Sequence, residues 1–237
     1  MRFKLYFTLE KPIVSIQYRK GILSFMKHAL AEYDIKYFQK YYHEKDPIKK
    51  EFSFSIYFKN PMIQQNQIIL ENNQMEMNLT TSNYEDGIVL YNAFNKQKYN
   101  PYPFLENKIL LQKIAMIKEK EVKTDTIVVK FQAPLCVRSR ENNKDYYYSF
   151  EDEKFEEILK INIKEQLKIT NIPIEIVDTF EITPIKAKKV LIKFYEKCLE
   201  CSTGTFELKG QKELLTYLYQ AGMGSRHSAG FGMFQII

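Results

Sequence analysis

The chain has no tryptophan, three cysteines, three histidines and eight glycines among its 237 residues, and no apolar run approaching the length of a membrane span. Without tryptophan, its seventeen phenylalanines and seventeen tyrosines must supply most of the aromatic bulk of the core. A small, odd number of cysteines argues against a disulfide framework and for a reducing compartment. The first residues, Met1-Arg2-Phe3-Lys4-Leu5, lack the apolar stretch of a signal peptide, so the expected location is the cytoplasm, with no membrane partner. Cys198 and Cys201 have the spacing of half a zinc site, but no second pair exists to complete four ligands. On a strand, residues three apart face opposite sides, so the pair reads as incidental to a hairpin. The acidic run Glu151, Asp152, Glu153, Glu156 and Glu157 reads as a solvated helix face. No serine-histidine-aspartate grouping is legible, and neither a metal nor another cofactor is expected.

What is present is uneven charge and a repeated order of elements. The formal charge of +6 lies within residues 1–50, where eleven lysines and arginines face five acidic residues; the remainder carries twenty-four of each. That asymmetry suits a polyanion meeting the N-terminal part. Arg2 to Leu9 alternates as a half-buried strand. From about Lys20, the residues Ile22, Phe25, Met26, Ala29, Leu30 and Tyr33 recur at helical spacing, and Asp34 can cap a short helix in which Ile35, Phe38 and Tyr42 share a face. Strands are predicted at Phe52 to Phe58 and Ile68 to Leu79. A helix over Tyr84 to Asn95 turns Ile88, Tyr91 and Phe94 inward, and a strand follows between about Lys108 and Lys120. This βαββαβ order is the ferredoxin-like, RRM-like unit.

The order then recurs. Thr126 to Arg138 reads as a strand, with Tyr146 to Phe150 a candidate partner for it. A helix reaches about Lys168, strands fit Ile174 to Ile182, Val190 to Tyr195 and Thr205 to Leu208, and a helix starts at Gln211 ahead of a closing strand from Phe231. The expected fold is α+β, two ferredoxin-like domains in tandem, spanning 1–122 and 123–237.

Four of the eight glycines fall in the last sixteen residues, within Gly222-Met223-Gly224-Ser225-Arg226-His227-Ser228-Ala229-Gly230-Phe231-Gly232. Glycine tolerates positive φ and close approach, so this turn is built for one or both. It follows a helix C-terminus, which excludes a Walker loop, because that loop presents a helix N-terminus to phosphate. The bland alternative is an ordinary helix-to-strand turn with Gly222 just past the helix end. Gly-hydrophobic-Gly, five residues including Arg226, then Gly-aromatic-Gly resembles the C-terminal signature of the CRISPR repeat-processing endoribonucleases, members of the RAMP superfamily of RNA-binding proteins. The resemblance extends to the N-terminal start, to Ala133-Pro134-Leu135-Cys136-Val137-Arg138 and to Thr203-Gly204-Thr205-Phe206.

Of the histidines, His28 lies opposite the apolar stripe of the first helix and should be exposed, His227 lies in the glycine turn, and His43 precedes Lys45, Lys49 and Lys50. A histidine beside a basic loop can transfer protons near neutral pH while a lysine offsets phosphate charge. In the family that the chain resembles, a histidine after the first helical region precedes a basic residue and a strand of the type Phe-Ser/Thr-aromatic-Ser. Here that pattern is His43, then Lys50-Glu51-Phe52-Ser53-Phe54-Ser55. The resemblance makes His43 the acid-base residue and Lys50 the phosphate-stabilising one, with Lys49 a close alternative. Some members add a tyrosine on the first helix where this chain has Lys27 and His28; either His28 replaces it or the site works with fewer groups.

RNA-binding candidates are Arg19, Lys20, Lys27, Arg138, Arg140, Gly222, Gly224, Arg226, His227, Gly230 and Gly232, with Lys188 and Lys189 further ones. The implied activity is metal-independent cleavage of precursor CRISPR RNA within its repeat, through 2′-hydroxyl attack that leaves a 2′,3′-cyclic phosphate and a 5′-hydroxyl. The implied partners are CRISPR repeat RNA, as precursor and mature guide, and other subunits of an interference complex. The alternatives are a non-catalytic RAMP-type RNA-binding subunit of such a complex and a generic RNA-binding module.

Overall fold

The computed structural model describes residues 1–42 and 49–237. Strands β1 (Arg2–Leu9) and β2 (Ile13–Ser15) precede helices α1 (Tyr18–Tyr33) and α2 (Ile35–Tyr42). Next come β3 (Phe52–Tyr57), β4 (Met62–Ile63), β5 (Gln67–Ile69), β6 (Gln74–Thr81), α3 (Tyr84–Lys96), β7 (Pro101–Phe104) and β8 (Asn107–Met116). The main sheet is antiparallel in the order β3-β6-β1-β8-β7, and its first four members, taken in chain order, give the 4-1-3-2 arrangement of a ferredoxin-like unit. Phe3, Leu5, Phe7 and Leu9 of β1 are buried, as the alternation requires, and pack with Ile22, Phe25, Met26, Ala29 and Leu30 of α1. Asp34 caps α2 through Oδ1, which accepts from the N–H groups of Lys36 (2.9 Å) and Tyr37 (3.1 Å).

The second unit repeats the plan with an insertion. Strand β9 (Thr126–Phe131) is followed by a hairpin of β10 (Val137–Glu141) and β11 (Lys144–Tyr148), then by α4 (Phe155–Leu167). Two long strands, β12 (Glu181–Phe194) and β13 (Lys197–Lys209), lead to α5 (Lys212–Ala221) and β14 (Phe234–Ile236). The sheet order β12-β13-β9-β14 is again 4-1-3-2, so the protein is two ferredoxin-like units in tandem. Its core is centred on Val129, Leu159, Ile163, Phe206, Leu208, Leu215 and Leu218, and it also takes in Val122. Only Thr205 to Lys209 of β13 pair with β9, so the rest of the β12–β13 hairpin forms an arm. That arm packs Phe194, Leu199 and Cys201 against Cys136 and Phe231 in a small third core. No helix of the described residues is long and apolar enough to cross a membrane.

Several local expectations are corrected. Ile68 to Leu79 is two strands, β5 and β6, because a turn at Glu71–Asn73 interrupts it. Ile174 to Ile182 is mostly not strand: Ile174–Val177 forms a 3₁₀ turn whose Ile176 and Val177 enter the core. Thr126 to Arg138 is not one strand but β9 and the start of β10, since pairing breaks around Pro134; the Tyr146 segment pairs with Val137 and Arg138 as expected, but through β10 alone. Ile88 and Ile35 are both 54% exposed, and Tyr33 is 40% exposed; Leu90, Ala93 and Phe94 on α3 and Tyr41 on α2 are buried, while Phe38 and Tyr42 share a face as expected and pack against the first core. His28 is half-buried, not exposed, its ring 5.0 Å from that of Tyr102. Cys198 and Cys201 do face opposite ways on β13, one exposed and one buried.

Candidate functional site

The glycine turn is the joint between the two units. Gly222, Gly224, Gly230 and Gly232 all have positive φ, between 65° and 85°. A Cβ on Gly222 would stand 2.5 Å from Ser53 Cβ, and one on Gly232 would stand 1.8 Å from the Met223 carbonyl oxygen. All four glycines are buried, and the partly exposed stretch between them is Ser225 to Ala229. In β3, Phe52 and Phe54 point into the first core, while the Ser53 hydroxyl donates to the Phe231 carbonyl at 2.7 Å. The small serine between two phenylalanines therefore leaves room for the turn to dock. Arg19 reinforces the joint: it is buried, its Nε donates to the Gly230 carbonyl (3.1 Å), and its guanidinium lies 4.8 Å from the ring centres of both Tyr18 and Phe231. Gly232→Ala is expected to destabilise the fold by about 3 kcal/mol, since positive φ and a backbone clash act together. Gly210→Ala, where the added Cβ meets only ordinary contacts, is the control in thermal unfolding.

From α4, two amides spaced four residues apart hold the turn from the other side. Gln166 Nε2 donates to the Gly222 carbonyl and its Oε1 accepts from the Gly224 N–H, both at 3.1 Å. Asn162 Oδ1 accepts from Ser225 Oγ (2.7 Å) and from the Arg138 N–H (3.0 Å), while its Nδ2 donates to the Arg138 carbonyl (2.8 Å). These residues were not singled out from the sequence. The available signal was two amides at i, i+4 on a helix whose neighbouring positions, Ile158, Leu159 and Ile163, are apolar.

Between α4, the β10–β11 hairpin, the turn and the segment entering β3 lies a cleft of about 700 Å³. It brings together Lys49, Lys50, Arg138, Arg140, Gly224, Arg226 and His227, which are distant in sequence. With Lys154, six basic side chains line it against three acidic ones, Glu141, Glu157 and Glu165. Lys49 is partly neutralised, its Nζ 3.1 Å from Glu165 Oε2. Lys50 is different: its ammonium sits 3.8 Å from the centre of the Tyr42 ring, which Lys27 also approaches at 4.9 Å. Burial, and then the charge of Lys27, push the Lys50 pKa down to about 8. Burial also raises the Tyr42 phenol to about 12, so the ring acts as a neutral platform.

His227 Nδ1 lies 2.9 Å from the Phe52 carbonyl; a carbonyl only accepts, so this nitrogen carries the proton. Burial, with a smaller push from Lys50, lowers the His227 pKa in spite of that hydrogen bond, which favours a neutral imidazole at pH 7.

The other candidates lie elsewhere. Lys20 sits 4.7 Å over the Tyr195 ring at the tip of the β12–β13 arm, and Lys189 pairs with Glu200 at 2.7 Å. Lys188 is exposed on β12. Of the neighbours Lys27 and His28, it is Lys27 that faces Tyr42 and Lys50. His43 lies outside the described residues, between Tyr42 and Lys49 in sequence.

Two ferredoxin-like units joined by a glycine-rich C-terminal turn, with a basic cleft beside that turn, define a RAMP-type protein. The family described as CRISPR associated protein Cas6, C-terminal, matches residues 117–236. The chain belongs to this family of CRISPR repeat-processing proteins. Its fold is shared by solved structures, three of which follow. A Cas6-related protein from Pyrococcus furiosus has a TM-score of 0.88 at 21% identity, with 100% of this chain and 98% of that one covered. A RAMP protein described as binding different RNA substrates has a TM-score of 0.84 at 20% identity, covering 100% and 99%. A CRISPR associated protein Cas6 has a TM-score of 0.78 at 17% identity, also covering 100% and 99%. No curated protein matches the chain in sequence.

Proposed function

We propose that the protein is an endoribonuclease that cuts precursor CRISPR RNA within its repeat. The observation that carries this reading is the cleft itself, where Lys49 and Lys50 of the first unit meet Arg138, Arg140 and Arg226 of the second around a pocket roomy enough for a ribose-phosphate strand. The family assignment, and a structural relative described as binding different RNA substrates, support RNA as the ligand.

RNA carries its own nucleophile. In the proposed step the 2′-oxygen loses its proton to a base and bonds to the adjacent phosphorus. The P–O5′ bond breaks, and the departing oxygen takes up a proton. The products are a 2′,3′-cyclic phosphate and a 5′-hydroxyl, and no water or metal enters the balance. His43 transfers the protons. Lys50, with Lys49 beside it, stabilises the charge that builds on the non-bridging oxygens. Arg138, Arg140 and Arg226 hold neighbouring phosphates, which fixes the strand without reading its bases.

Purified protein incubated with end-labelled repeat RNA in excess EDTA is expected to give one discrete cut, with the upstream fragment lacking a free 3′-hydroxyl until its cyclic phosphate is opened and removed. Binding without cutting would instead identify a non-catalytic RNA-holding subunit. Loss of the cut in EDTA would overturn the metal-independent route.

A further inference from the structure

Behind the wall of the cleft lies a carboxylate that the proposed chemistry does not use. Asp145, on β11, has a side chain only 8% exposed. Arg138 Nη1 reaches its Oδ1 at 3.2 Å, while Lys197 Nζ and Arg226 Nη2 approach its Oδ2 at 2.8 and 3.6 Å. Arg226 is tied in a second way, donating from Nη2 to the Tyr147 hydroxyl at 3.0 Å, and that hydroxyl in turn donates to Asp145 Oδ2 at 3.5 Å. Three cations thus share one anion. Two of them, Arg138 and Arg226, line the cleft, while Asp145 and Lys197 do not. Arg226 is also the residue of the turn that adopts left-handed backbone without being glycine, at φ 59°. A strained residue persists where the surroundings over-determine it.

We propose that Asp145 is a positioning residue that holds the Arg138 and Arg226 guanidiniums aimed into the cleft for RNA phosphates. The inference rests on the RNA-binding reading of the cleft. Two effects of the carboxylate oppose each other. Its charge repels RNA, but across roughly 10 Å of solvated protein that repulsion changes affinity by only about twofold. Its ordering effect is larger: without it, two mutually repelling arginines regain rotamer freedom that RNA must then remove, which weakens binding by about tenfold. The two effects have opposite signs, so the direction of the change decides between them.

The test uses the full chain and labelled repeat RNA, with Kd, the single-turnover rate at saturating RNA and the salt dependence read together. Asp145→Asn keeps the shape and removes the charge. It is expected to raise Kd about tenfold, to move the saturated rate by less than about twofold, and to flatten the salt slope by about one phosphate contact. Asp145→Glu should recover most of the affinity. Tyr147→Phe, which removes only the bridging hydroxyl, should weaken binding by about threefold. Unchanged or tighter binding by Asp145→Asn overturns the inference, and if that variant does not fold, an unchanged Kd for Tyr147→Phe overturns it instead. If the unaltered protein fails to bind repeat RNA, the proposed function falls first, and the two failures are told apart.

Discussion

Replacing His43 with alanine is expected to slow repeat cleavage by about a thousandfold while Kd for the repeat stays within about twofold. Acid-base catalysis by a positioned imidazole contributes on that scale, whereas the phosphate contacts proposed to set affinity fall to Lys49, Lys50, Arg138, Arg140 and Arg226, which line the cleft and are unchanged in this variant. Single-turnover cleavage beside a binding isotherm measures both quantities on one preparation. A variant that cuts at the normal rate would pass the role to another group. His227, the histidine that lines the cleft among the described residues, is the next candidate, although its Nδ1 proton is committed to the Phe52 carbonyl.

The second large effect is at Lys50. Lys50→Ala is expected to lower the single-turnover rate by about a hundredfold, the scale of removing one donor that faces developing charge. A pH series gives the sharper test. Lysine is charged below its pKa, so with that pKa near 8 the ammonium form is lost as pH rises through 8, and kcat/KM for the unaltered protein should fall on the alkaline side. Bound phosphate favours the charged form, so the same limb measured in kcat should lie at higher pH. Lys50→Arg should flatten the limb, because guanidinium stays charged throughout. Lys27→Met should move the limb upward by removing the like charge, though only by part of the shift, since burial is the larger cause. A limb that stays in place in Lys50→Arg would show that some other group titrates.

Much of the fold was legible because its signals are local. The alternation in β1, the stripe of α1 and the Asp34 cap depend on neighbours within a turn or two, and all appear in the structure. Ile88 and Ile35 were misread because a hydrophobic side chain carries no information about whether another element covers it. The apolar run at Ile174 fills the second core from a 3₁₀ turn, a role that period and composition do not separate from a strand. The site divided in the same way. Lys49, Lys50, Arg138, Arg140, Arg226 and His227 stood out as charged or titratable residues near turn signals. Asn162, Gln166, Tyr42 and Asp145 did not, because each matters through partners that only the folded chain brings to it, such as Ser225 for Asn162.

The order of amino acids alone determined most of the strands and helices, where positive charge gathers, and that the last turn is rich in glycine. These follow from side-chain period, formal charge and steric limits on φ, which need no distant partner. Tertiary structure alone decided that Ser53 receives that turn, that Lys27 and not His28 faces Lys50, and that burial beside Tyr42 leaves this lysine partly neutral near pH 8. Close approach and desolvation arise only when remote surfaces meet, and those two effects are what turn a scatter of basic residues into a cleft with graded charge.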